Sequence, residues 1–242
     1  MTTSSGAPSE LIRWGECPFL LRVMIVGRFG HGWPGWVGEV GVEVRGVRHA
    51  YRRRVVLRGV DLWLRPGALC GVVGENGAGK STLLKILSGE LRPARGTVRH
   101  AGPFGYCPQH VVLNDALTVR QHLGFFRKAY RLADLRYAEE IMDVLDFAGY
   151  ADERVGVLSG GTRQKLNVTL ALMHDPRVLL LDEPYQGFDW DTYRRFWDLA
   201  ARLRDAGRSV LVVSHLAYDT ERLDELWRLD DGVLRRDEAV SA

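Results

Sequence analysis

The chain of 242 residues has only three cysteines, Cys17, Cys70 and Cys107, odd in number and far apart. That spacing supports neither a disulfide framework nor a cysteine zinc site, and a reducing compartment is the natural reading. Also missing is any run of about 18 apolar residues, the length that crosses a bilayer. The longest candidate, Cys17 to Gly27, is interrupted by Arg22, so the chain is expected to be soluble or peripheral. Net charge is small at +3, and the 33 basic residues are nearly all arginine. No nucleic-acid partner is expected from that balance. His31, His49, His100, His110, His122 and His174 lack metal-ligand spacing. No internal repeat is visible. What the chain does have is 46% apolar residues, enough to bury the core of one α/β domain.

The first 38 residues differ from the rest, with a Ser/Thr/Gly/Pro opening followed by Trp14, Phe19, Trp33 and Trp36 among glycines. Residues 1–38 read as an N-terminal extension, either poorly ordered or arising from a start assigned too early. An interfacial membrane anchor is the competing reading, weakly supported by the apolar spacing. From Val40 the pattern is regular: Val40, Val42 and Val44, then Val60, Leu62 and Leu64, alternate with polar or small residues, as in half-exposed antiparallel strands. Between Gly89 and Gly105, prolines and glycines predict turns and short strands. Leu123, Phe126, Ile141, Val144 and Leu145 recur at helical spacing and predict two or three helices between about Thr118 and Tyr150. Val178 to Leu181 and Val210 to Val213 are unbroken apolar runs, the mark of parallel strands covered on both faces. Tyr193, Phe196, Trp197, Ala200 and Leu203 form the buried stripe of a helix between them. The expected organisation is a domain over 39–238, with a helical subdomain at about 115–165 and a tail at 239–242.

The stretch Gly74-Glu75-Asn76-Gly77-Ala78-Gly79-Lys80-Ser81-Thr82 follows an apolar strand, Leu69 to Val73, and opens a helix near Lys80. Three glycines let the backbone turn tightly and aim its N–H groups inward, where the positive end of the helix dipole also favours phosphate. Lys80 then reaches the outer phosphates, and the Ser81 hydroxyl suits a magnesium ion that accompanies a nucleotide. A second acidic motif, Asp182-Glu183, follows the strand Val178 to Leu181 and is expected to emerge beside the phosphates. Asp182 suits the metal shell and Glu183 the deprotonation of an attacking water. Leu158-Ser159-Gly160-Gly161-Thr162 opens a third helix, with Ser159 as a good cap.

With that third motif the chain resembles the ATP-binding cassette family, the ATPase subunits of ABC transporters, over about Val40 to Arg235. Gly74 to Ser81 is similar to its Walker A, Gln109 to its Q-loop and Leu158 to Gly161 to its signature. Val178 to Asp182 with Glu183 resembles Walker B and the catalytic glutamate, Asp189 the D-loop and His215 the switch histidine. Tyr51 sits where the family places an adenine-stacking aromatic. Two departures are visible: Thr162 replaces the usual glutamine, and Tyr185-Gln186-Gly187-Phe188-Asp189 replaces Thr-Ser-Gly-Leu-Asp.

The resemblance implies a P-loop NTPase core with a mainly parallel sheet, an antiparallel β subdomain and an inserted helical subdomain. It implies ATP and Mg2+ as ligands, with Ser81, Gln109 and Asp182 toward the metal. Glu183, His215 and Gln109 would act in hydrolysis, and Ser159, Gly160, Gly161 and Asp189 in completing a nucleotide site. It further implies a homodimer or heterodimer of ATPase subunits and a separate integral membrane permease, which places the chain in the cytoplasm, peripheral on the membrane. Leu117 to Lys128 resembles exporter ATPases, so export is expected over import. A soluble cassette ATPase of translation, cluster assembly or repair is the alternative.

Overall fold

The computed structural model describes residues 41–100, 102–110, 113–215 and 220–237. The expectations for residues 1–38, for the tail 239–242 and for Val40 fall outside the described residues. Two sheets organise the rest. The first is antiparallel, in the order β2-β1-β4, from β1 (Val42–Tyr51), β2 (Arg54–Leu64) and β4 (Arg95–His100). Its alternation follows the sequence: Val42, Val44, Val60, Leu62 and Leu64 are buried, whereas Trp63 is half exposed. This is the expected antiparallel subdomain.

The second sheet has six strands in the order β5-β6-β7-β3-β8-β9. It contains β3 (Leu69–Val73), β5 (Phe104–Cys107), β6 (Val178–Asp182), β7 (Ser209–Ser214), β8 (Glu225–Asp230) and β9 (Val233–Asp237). All neighbours pair in parallel except β8 with β9. Every residue of β3, β6 and β7 is buried. Two-residue alternation sends them to different cores: Leu179, Leu181, Val210 and Val212 join the helical side. Val178, Leu180, Leu211 and Val213 join the antiparallel sheet and the first helix. An unbroken apolar run therefore reads correctly as a strand covered on both faces.

Five α-helices complete the described residues: α1 (Lys80–Leu87), α2 (Val119–Tyr130), α3 (Arg136–Val144), α4 (Gly160–Leu172) and α5 (Trp190–Asp205). Helix α2 opens with a capping box, in which Thr118 accepts from the Gln121 amide and Gln121 accepts from the Thr118 amide. With α3 and two 3-10 turns, Ala148–Tyr150 and Val155–Val157, it forms the helical insertion. Helix α4 begins within the expected insertion and continues to Leu172, packed against β5 and β6. Helix α5 joins β6 to β7 and buries Phe196, Trp197 and Ala200. The fold is thus a P-loop NTPase-type α/β core carrying an antiparallel sheet and an inserted helical unit.

Candidate functional site

The site lies where β3, β6 and β7 end. After β3 the chain turns sharply at Gly74, where an added Cβ would collide with the backbone oxygen of Leu229. Gly77 and Gly79 have φ values of +86° and +111°, a region that glycine enters without strain. Gly79 is the N-cap of α1 and supplies no side-chain acceptor, so the first amides of that helix remain available to an anion. Lys80, only 7% exposed, folds back along this loop. Its Nζ donates to the carbonyls of Gly74 at 2.6 Å and Glu75 at 3.0 Å. Burial lowers its pKa, opposed by the charges of Glu183 and Asp182.

Both acids of the second motif are buried at the end of β6. Burial pushes the Asp182 carboxyl up to about 6, and Glu183 adds to the rise. A hydrogen bond from Ser81 and the charges of Lys80 and His110 pull it back. Glu183 has φ +51°, unusual for a residue with a side chain. Its amide donates to the Val213 carbonyl at 2.9 Å. The His215 amide donates to its Oε1 at 2.9 Å, and His215 Nδ1 lies 2.8 Å from both carboxylate oxygens.

These residues border a cleft of about 400 Å³. Of the residues singled out from sequence, Tyr51, Asn76, Gly77, Gly79 and Lys80 line it. So do Ser81, Thr82, Gln109, Asp182 and Glu183. Gly74 and Glu75 stand behind Lys80, the half-buried Ala78 packs against the core, and His215 reaches the cleft through Glu183. Ser159, Gly160, Gly161 and Asp189 do not line it. Instead, Ser159 caps α4 by accepting from the Thr162 amide at 3.1 Å, and the two hydroxyls pair at 2.9 Å. Gly161 backs onto the Gly187 carbonyl, which a Cβ would strike. Asp189 caps α5 through the Thr192 amide and hydroxyl, both at 2.8 Å.

Sequence reasoning missed two residues that line the cleft, Arg54 and Val56. Both lie on β2 two residues apart and so share a face, but nothing in the run Arg52-Arg53-Arg54 singles out the third arginine. It also missed the buried amides Gln164 and Asn167 of α4, whose partners are backbone atoms distant in sequence.

A glycine loop between a parallel strand and an uncapped helix, with two buried acids at the end of another parallel strand of the same sheet, defines a P-loop nucleotide-binding protein. Comparison with known proteins narrows this class. The model of the ABC transporter family matches residues 57–186, more than half of the chain. The Nod factor export ATP-binding protein I of Cupriavidus metallidurans is 34% identical over 197 residues, which cover 75% of this chain and 65% of that protein. The match thus spans somewhat less than two thirds of that relative. A solved ATP-binding subunit of an ABC transporter has a TM-score of 0.76 at 24% identity, covering 82% of this chain and 90% of the other. A dimeric bacterial ABC transporter cassette has a TM-score of 0.75 at 23% identity, covering 81% and 97%. These two structures share its fold. The chain belongs to the ABC transporter family and is one of its ATP-binding cassettes.

Proposed function

We propose that this chain hydrolyses ATP as the ATP-binding subunit of an ABC transporter and energises export through a separate integral membrane permease. The observation that carries this reading is the meeting of Lys80, Ser81, Asp182 and Glu183 in one cleft beside an uncapped helix N-terminus. A triphosphate suits that arrangement: the α1 amides and Lys80 meet the outer phosphates, and the Tyr51 ring covers the adenine. Ser81, Asp182 and Gln109 offer a hydroxyl, a carboxylate and an amide oxygen. Such an all-oxygen set fits Mg2+, which takes one or two carboxylates together with substrate phosphates and water. When bound, the ion neutralises phosphate charge.

Glu183 is the general base. Held by His215, its carboxylate accepts a proton from the attacking water as the water oxygen bonds to the γ-phosphorus. The bond to the ADP oxygen breaks and inorganic phosphate leaves. Gln109, at the cleft edge, orients that water. Because Ser159, Gly160 and Gly161 do not line their own chain's cleft, a second ATPase subunit, identical or related, supplies the N-terminus of its α4 to the γ-phosphate. Asp189 lies in the same contact. One solved cassette of this fold is dimeric, which supports the arrangement.

Export is supported by the name of the Cupriavidus relative. No helix among the described residues is long and apolar enough to cross a membrane. In this reading the permease docks near Gln109 and the helical insertion, which puts the chain on the cytoplasmic face of the cell membrane. Light scattering on the Glu183→Gln variant tests the proposal. With saturating ATP its mass should double, while Lys80→Ala stays monomeric. A Glu183→Gln variant that remains monomeric and turns over ATP as fast as wild type would sink the reading.

A further inference from the structure

Helix α4 is buried along most of its length, and two of its inward side chains are amides. Gln164 is 6% exposed and Asn167 is fully buried. Asn167 Nδ2 donates to the Pro108 carbonyl at 2.8 Å, holding the backbone directly before Gln109. Gln164 Nε2 donates to the Glu183 carbonyl at 3.4 Å and contacts Cys107 Sγ at 3.7 Å. Asn167 Nδ2 also lies 3.5 Å from Gln164 Oε1, which joins the two amides. One face of one helix thus grips the chain at the ends of two adjacent strands, β5 and β6.

Packing alone gives no reason for amides at these positions. Asn167 Oδ1 is buried with no hydrogen-bond partner among the described residues. A fully buried amide satisfied only through its donor is a costly core residue, and such local conflict is expected where a site needs the group. Glu183 supplies a second sign of the same demand. Its left-handed backbone persists only where neighbours over-determine it, and Gln164 is one of those neighbours.

We propose that Asn167 and Gln164 are positioning residues for hydrolysis: they fix Gln109 and Glu183 relative to each other by holding the carbonyls of Pro108 and Glu183. This rests on the ATPase reading above. The α4 helix that carries both amides starts at Gly160 and touches Gly187 through Gly161. A shift of α4 therefore moves both grips together.

The test is a cycle of wild type, Asn167→Leu, Gln109→Ala and the double variant, with ATP hydrolysis and ATP affinity measured for each. Leucine keeps the bulk and removes the donor. In Asn167→Leu, kcat should fall on the order of 10- to 100-fold, the size expected of a misplaced catalytic group. Its ATP Kd should stay within about twofold, since Asn167 touches neither the glycine loop nor Tyr51. Adding Asn167→Leu to Gln109→Ala should lower kcat no further, because the asparagine acts through the glutamine. A merely structural asparagine would instead give additive losses. Unchanged kcat in Asn167→Leu, or additive losses in the double variant, overturns the proposal. If Asn167→Leu does not fold, Asn167→Ser is read in the same way. A wild-type protein that binds ATP without hydrolysing it overturns both readings; active wild type with indifferent variants overturns this one alone.

Discussion

At the start of β6 and β7, Asp175 and Arg208 meet at the surface, with Arg208 Nη2 at 2.7 and 2.6 Å from the two carboxylate oxygens. At the far end of the same two strands, Asp182 and Glu183 are buried beside Lys80 and His215. The first pair is solvated, so it contributes little and costs little. The second group keeps charges out of water, with the Asp182 carboxyl pushed up to about 6 by burial and the backbone of Glu183 in a left-handed conformation. Nothing in folding alone favours that arrangement. Buried charge and local strain concentrate where a site uses them, and here they mark one end of the sheet.

Substitutions at the two ends should separate on that basis. The largest effect on ATP binding belongs to Lys80→Ala. Losing a buried charge-assisted contact should weaken ATP binding about 10- to 100-fold by calorimetry; normal affinity would remove Lys80 from the phosphate site. Among the described residues, an acid-sensitive group lies near the start end of the sheet. His100 stacks on Phe104 with ring centroids 5.0 Å apart, and burial pushes its pKa down to about 4, opposed by a hydrogen bond to the Leu87 backbone. The unfolded chain, with an ordinary histidine pKa near 6.5, takes up this proton first. The stability is therefore full above about pH 6.5 and is lost as pH falls toward 4, a change of about 3 kcal/mol. Thermal melts between pH 7 and 4 should show a flatter profile for His100→Phe than for wild type; parallel profiles would contradict the assignment. The smallest effect is that of Arg208→Ala. Loss of an exposed pair should cost about 0–1 kcal/mol and leave ATP turnover unchanged. A large loss of turnover there would break the distinction between the two ends.

Much of this division is legible in the sequence, and the legible parts share a cause. The runs Val178 to Leu181 and Val210 to Val213 declare strands because burial on both faces demands apolar side chains in succession. Gly74, Gly77 and Gly79 declare the loop because backbone conformation and close approach demand glycine there. Ser159 and Asp189 precede helices as caps, a local effect that needs only the next three residues. Arg54, Gln164 and Asn167 were not legible, since their importance comes from what tertiary packing places opposite them. The assignment of His215 rested on the family resemblance, whereas its pairing with Glu183, 32 residues away in sequence and at 2.8 Å, is visible only in the folded chain.

The claim that the far ends of β3, β6 and β7 form a hydrolytic centre is tested most directly by phosphate release from ATP, compared between wild type and Glu183→Gln. The variant should bind ATP normally and release phosphate on the order of 10²- to 10⁴-fold more slowly, as expected for loss of a general base. Equal rates of release at equal ATP occupancy would contradict it.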